Sequence, residues 1–152
     1  MNQSLEQLTT TQANAIVHLC SSNSSPIPLC GEDALTGESF EHRRQWLIDR
    51  IKKVAFVFAI DVCSYAIMSN HFHLVLKIGA NDNWTDKQVL MTWLSLYSLP
   101  VLCQRYLEGN DMDSAELNRV QEYAAEYRMR LCSVSWFMKK SSGMIFHVAP
   151  QG

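Results

Sequence analysis

Two short runs constrain most of what this chain can become. Ile60 to Met68 is rich in β-branched and aromatic residues, Phe72 to Ile78 is almost wholly apolar, and Ser69-Asn70 stands between them as a turn. Two strands joined by so short a connection lie antiparallel. Side chains alternate across a strand, so His71 and His73 leave one face together while Phe72, Leu74 and Leu76 leave the other. The pattern separates ligand-bearing positions from core positions. Two imidazoles at i and i+2 on a stiff apolar strand can hold a divalent metal with little reorganisation. Asn70 is placed to orient one ring or to stabilise the turn. An HxH pair alone is nevertheless more often two surface or packed histidines than a metal site.

Around these strands the periodicity is helical. Phe40, Leu47, Ile51, Val54 and Phe58 recur at steps of seven, four, three and four, which sets them on one helix face and turns Arg43, Arg50 and Lys53 toward the other. Upstream, Ala15 to Cys20 is short, apolar and partly β-branched and reads as a first strand, followed by a loop at Ser21 to Pro26. Downstream, Gly79-Ala80-Asn81-Asp82-Asn83 closes the later strand, and Thr85 caps a helix from Asp86 to about Tyr97. Pro100 stops or kinks it. Ser114 is expected to cap a helix through about Arg130, and Ser133 or Ser135 to start another carrying Trp136, Phe137, Lys139 and Lys140. Ser141 to Gly152 shows no clear period, and the chain has no internal repeat.

The remaining features bound the function. A chain of 152 residues, 47% apolar and 18% charged, is expected to form one globular domain rather than a disordered or fibrous one. No apolar run reaches the ~18 residues of a membrane helix, and Met1 to Thr11 is polar without a signal-like block, so a cytoplasmic protein with no membrane partner is expected. The five cysteines, Cys20, Cys30, Cys63, Cys103 and Cys132, are odd in number and form no CxxC pair. Reduced thiols are the reading this favours over a disulfide framework or a structural zinc site. The net charge of -2 is awkward for a DNA-binding protein, which needs Lys and Arg on its contacting face. Local clustering has to compensate.

The run from Phe58 through Tyr65, Met68 and Asn70-His71-Phe72-His73 to Leu76 resembles the second and third strands of the REP-associated, insertion-sequence-200-like tyrosine transposases of the HUH endonuclease superfamily. Their motif is two histidines flanking a bulky apolar residue. Glu41 to Trp46, opening the preceding helix, and Ser135 to Lys140 are similar to that family as well, and the resemblance spans roughly Leu29 to Lys140. It implies an α+β fold: a ferredoxin-like antiparallel sheet with packed helices, complete or cut short. It divides the chain into a polar leader at 1–14, an HUH domain at 15–140 and a divergent tail at 141–152. It further implies that His71 and His73 hold a Mg or Mn ion, which polarises the scissile phosphate of single-stranded or hairpin DNA. A helix tyrosine then attacks, leaving a 5'-phosphotyrosine and a 3'-hydroxyl, and members often work as homodimers. Beside such a sheet Arg43, Arg44, Arg50 and Lys53 become candidates for phosphate contact, although a mixed charged helix face is usually mere solvation. Imidazole ordinarily favours softer ions than magnesium, so this reading asks for a further oxygen ligand and for substrate phosphate.

The chain departs from the family where the nucleophile belongs. A tyrosine is expected on a helix after Trp136 to Lys140, yet none follows Tyr127, and Ile145 stands at roughly that position. Tyr127 and Tyr123 are the remaining nucleophile candidates, although tyrosines on an amphipathic helix more often pack. Neither has a polar metal ligand at i+4, where Tyr123 meets Tyr127 and Tyr127 meets Leu131; Tyr106 has Asn110, but Gly109 breaks that helix. His18 is followed by Cys20, Ser21 and Ser22 and by no basic residue before Arg43, so phosphate contacts are lost there. His18, His42 and His147 have no ligand-spaced partner and receive no role. Trp46, Trp93 and Trp136 are read as core anchors rather than base-stacking platforms, and Met68 and Met91 as packing residues. A degenerate or frameshifted copy is expected, and with it a catalytically inactive remnant that at most binds DNA hairpins. An unrelated small zinc metalloenzyme is the third reading, and it needs a convergent Asp, Glu or His that spacing does not reveal.

Overall fold

The computed structural model describes residues 15–22 and 29–147, with side chains described except at 21, 22 and 142–147. The polar leader at 1–14, residues 23–28 of the serine-rich loop and residues 148–152 of the tail lie outside the described residues. Among the described residues the order is β1 (Ile16–Ser22), α1 (His42–Val57), β2 (Ile60–Ile67), β3 (His71–Ile78), α2 (Asp86–Leu94), α3 (Val101–Leu107), α4 (Ser114–Leu131) and α5 (Val134–His147). The three strands form one antiparallel sheet in the order β1-β3-β2. This is an α+β architecture, with the histidine-bearing strand in the middle.

Cross-strand partners project to the same side of a sheet, so the register assigns the faces. Leu19 lies opposite Leu74, Val17 opposite Leu76, Ile67 opposite Phe72 and Ile60 opposite Ile78. All eight are buried, and a side chain such as Phe72 or Leu74 contributes about 1.5–3 kcal/mol by leaving water. On the other face stand His18, Cys20, Ala66, His71, His73 and Val75, each exposed or half-buried. The alternation read from the sequence of β3 is matched on β1 from Ile16 to Cys20, whereas β2 is buried only at its ends, Ile60 and Ile67, and leaves Tyr65, opposite Leu74, 43% exposed. Cys63 interrupts the pairing of β2 with β3 between Val62 and Ser64, an irregularity of the kind that increases twist.

Helix α1 presents Leu47, Ile48, Ile51, Val54 and Val57 to the core, as its apolar period requires. Phe40 and Phe58 fall outside it. Phe58 is buried in extended backbone just past the helix end, and Phe40 precedes the first turn and lies under the Arg43 guanidinium at 4.4 Å. Thr85 caps α2 as expected, in a reciprocal box with Gln88. That helix ends at Leu94 rather than near Tyr97, because the Ser95 hydroxyl and N–H both bond the Thr92 carbonyl and tighten the last turn. The cap of α4 is Asp113, not Ser114, since only Asp113 has a glutamate, Glu116, at the third helical position to return the hydrogen bond. Helix α5 runs without a break past Lys140 to His147. Met68 and Met91, expected to pack, are 41% and 56% exposed. All five cysteines are unbridged. No helix among the described residues is long and apolar enough to cross a membrane.

Two local constructions hold the ends of β3. At its start, the Leu29 N–H bonds the Ser69 carbonyl at 2.6 Å, the Met68 N–H bonds the His71 carbonyl at 2.8 Å, and Arg44 Nη1 donates to the Ile67 carbonyl at 2.7 Å. Leu29 and Cys30 are buried against this end. At its finish, the Gly79 N–H bonds the Ala59 carbonyl at 2.7 Å, and a Cβ at residue 79 would sit 2.9 Å from that same oxygen. Only glycine permits the backbones to approach so closely.

Candidate metal centre

His71 and His73 come together as their spacing implies, with ring centroids 5.2 Å apart and planes at 79° on the open face of the sheet. His71 Nδ1 lies 2.6 Å from Asn70 Oδ1, and an amide oxygen can only accept a hydrogen bond. His71 Nδ1 must therefore carry the proton, and in the neutral ring the lone pair resides on Nε2. A ligating histidine is ordinarily held this way, through its second nitrogen.

His73 is held from the neighbouring strand. His18 Nε2 lies 3.2 Å from His73 Nδ1, the two rings being close to parallel at 16°, with centroids 5.3 Å apart. Cys20, directly opposite His73 in the β1–β3 register, brings its sulfur to 3.9 Å from His73 Nε2. Each nitrogen of His73 thus has a polar neighbour on β1, which adds His18 and Cys20 to the side chains around the pair. Sequence reasoning gave His18 no role and read Cys20 only as a reduced thiol. The signal was present: His18-Leu19-Cys20 repeats the i, i+2 spacing of His71-Phe72-His73.

The basic candidates are dispersed along α1. Arg44 is tied to the strand end that carries His71 through the Ile67 carbonyl, and it also pairs with Glu41 at 2.5 Å. That pairing lowers the carboxyl pKa of Glu41 and raises that of the guanidinium. Arg43 rests on Phe40, and Arg50 lies over the Trp46 ring at 5.2 Å. Lys53 is exposed. Arg50 is six residues beyond Arg44, on the order of 9 Å along the helix. Through the Ile67 carbonyl, Arg44 is tied to the histidine end of the sheet.

Tyr123 and Tyr127 are placed elsewhere. Both lie on α4, and Tyr127 is 6% exposed, stacked on Trp93 at 4.3 Å, with Tyr97 on the opposite side of Trp93 at 4.1 Å. Burial raises the Tyr127 hydroxyl above its ordinary pKa, which disfavours the phenolate a nucleophile would need. The end of α4 is anchored far from the imidazoles: the Leu131 carbonyl accepts from the Ala59 N–H, and Arg128 bonds the Asn81 and Trp84 carbonyls, all beyond the Ile78 end of β3. A strand rises ~3.3 Å per residue, so the seven steps from His71 to Ile78 cover on the order of 23 Å. Trp93, 3% exposed, is a core anchor as expected.

The donors fit an ion that accepts imidazole nitrogen. They do not by themselves fit magnesium, which asks for oxygen. Among the described residues, no three His, Cys, Asp or Glu side chains gather about one point as they stand. No known protein family, curated protein or solved structure matches this chain.

Proposed function

We propose that this chain is a transposase-family protein that binds single-stranded or hairpin DNA in the cytoplasm, with His71 and His73 holding a divalent ion, Mg or Mn in the family reading, at the DNA phosphate. The observation that carries the reading is the pair of imidazoles side by side on an open sheet face, one of them fixed by Asn70 with its Nε2 lone pair available. The strand–helix–strand–strand–helix order with β3 central accords with a ferredoxin-like HUH plan whose fourth strand is missing among the described residues. A bound ion would polarise a phosphoryl oxygen. The chain's own part is to present two preorganised nitrogens and, through Arg44 at the same strand end, a cation for a neighbouring phosphate.

The placement of Tyr123 and Tyr127 favours binding without covalent cleavage over strand transfer. Incubation with a radiolabelled DNA hairpin and manganese chloride separates the two. A retarded complex that disappears in His71→Ala and His73→Ala, with no adduct surviving denaturation, is the expected result. An adduct that survives denaturation restores the nuclease, and retention of the complex in both histidine variants removes the metal from DNA recognition.

A further inference from the structure

We propose that Cys20 is the third protein ligand of this centre, so that His71, His73 and Cys20 form a site that takes zinc or another thiophilic divalent ion in preference to magnesium. The inference rests on the reading that His71 and His73 bind metal, and deepens it by naming a donor and an ion class. His71 Nδ1 is engaged by Asn70 at 2.6 Å and His73 Nδ1 lies 3.2 Å from His18 Nε2; in the tautomer where His73 Nδ1 donates to His18, both Nε2 atoms carry the lone pairs and are the ligating positions. The Cys20 sulfur lies 3.9 Å from one of them. Zinc sits about 2.0–2.1 Å from imidazole nitrogen and about 2.3 Å from thiolate sulfur, and a tetrahedral angle then separates the two donors by ~3.6 Å. One ion can therefore touch both atoms after a shift of a few tenths of an ångström.

Closing the third bond requires His71 Nε2 to turn toward that ion. His71 is only half-buried and Cys20 is exposed, so side-chain rotation meets no packed core. The sheet register sets Cys20 directly opposite His73, and Asn70 and His18 meet the Nδ1 atoms of the two rings as outer partners. In this arrangement His18 positions His73 and does not ligate. The thiol proton leaves to solvent as the ion binds, and the resulting thiolate selects softer metals.

Cobalt(II), which reports thiolate ligation by an intense near-ultraviolet charge-transfer band, is titrated into the reduced full-length protein and then competed with zinc chloride or magnesium chloride. We expect the band to appear, to be abolished by zinc and not by magnesium, to persist in Cys63→Ser and to vanish in Cys20→Ser. Cobalt affinity in Cys20→Ser should fall at least as far as the ~10–100-fold that loss of an outer partner costs. Persistence of the band in Cys20→Ser overturns the proposal. Cobalt binding that produces no such band and is lost in His71→Ala and His73→Ala also overturns it, while leaving the two-histidine metal reading in place. No bound cobalt at all defeats both.

Discussion

His71 donates its Nδ1 proton to Oδ1 of Asn70 across 2.6 Å, and this bond between chain neighbours determines which nitrogen of the ring is open to a ligand. The turn residue thereby becomes part of the site. Asn70→Ala should lower manganese or cobalt affinity by about 10–100-fold, the usual cost of losing an outer partner, with the far-ultraviolet dichroism unchanged. Asn70→Asp, which keeps an acceptor at the same place, should restore most of it. Isothermal titration of the two variants checks this, and equal affinities for wild type and Asn70→Ala would remove Asn70 from the centre.

Tyr127 stacks between helices on Trp93 instead of approaching the histidines. Tyr127→Ala should therefore cost about 3–5 kcal/mol of stability, as other buried aromatic truncations do. Tyr127→Phe should leave stability within about 1 kcal/mol and hairpin binding unaltered. Urea denaturation and a gel-shift titration read the two effects separately. A covalent DNA adduct formed by wild type and lost in Tyr127→Phe would make the hydroxyl a nucleophile after all.

Gly79 carries a backbone approach that no side chain tolerates. Gly79→Ala would place a methyl group 2.9 Å from the Ala59 carbonyl, an oxygen that cannot move without losing its bond to the residue 79 N–H. Destabilisation of about 1–3 kcal/mol is expected, measured as a lower urea midpoint with an unchanged slope. A neutral outcome would show that the α1–β2 connection yields more readily than the packing implies.

Burial pushes the thiols of Cys30, Cys103 and Cys132 above the ordinary value of 9.0, and the phenols of Tyr97 and Tyr127 above 10.0. In the unfolded chain these groups release protons first, so the folded state holds more protons in alkali and loses stability as pH rises. The unfolding free energy should be insensitive to these groups at neutral pH and fall progressively above about pH 9, thiols first and phenols next. Urea curves taken at intervals through this range check the sign. Replacing Cys103 by alanine should flatten the early part of the decline.

The fold was legible wherever one strand or helix face could be read without its neighbours. The alternation in β3, the apolar stripe from Leu47 to Val54 and the Thr85 cap all follow from spacing within a segment. The i, i+2 spacing of His18 and Cys20 was readable, but their meeting with His73 was not, because it comes from the register of β1 against β3, which is set by strand order and not by distance along the chain. The choice of Asp113 over Ser114 turned on Glu116, a partner three residues away that serves one candidate and not the other. The continuation of α5 through residues 141–147 carries no apolar period to announce it. The stacking of Tyr127 on Trp93 joins two helices, so no within-helix spacing discloses it.

The interleaving of His71 and His73 with Phe72 and Leu74 has a consequence for how such a chain can age. Slipping β3 by one position would drive both imidazoles into hydrocarbon and push the phenyl and leucyl groups into water. A correctly folded molecule therefore displays its nitrogens whether or not they are still used. Substitutions at the odd-numbered positions can silence the chemistry while the even-numbered ones go on maintaining the architecture, so a descendant could lose its trade and keep its shape.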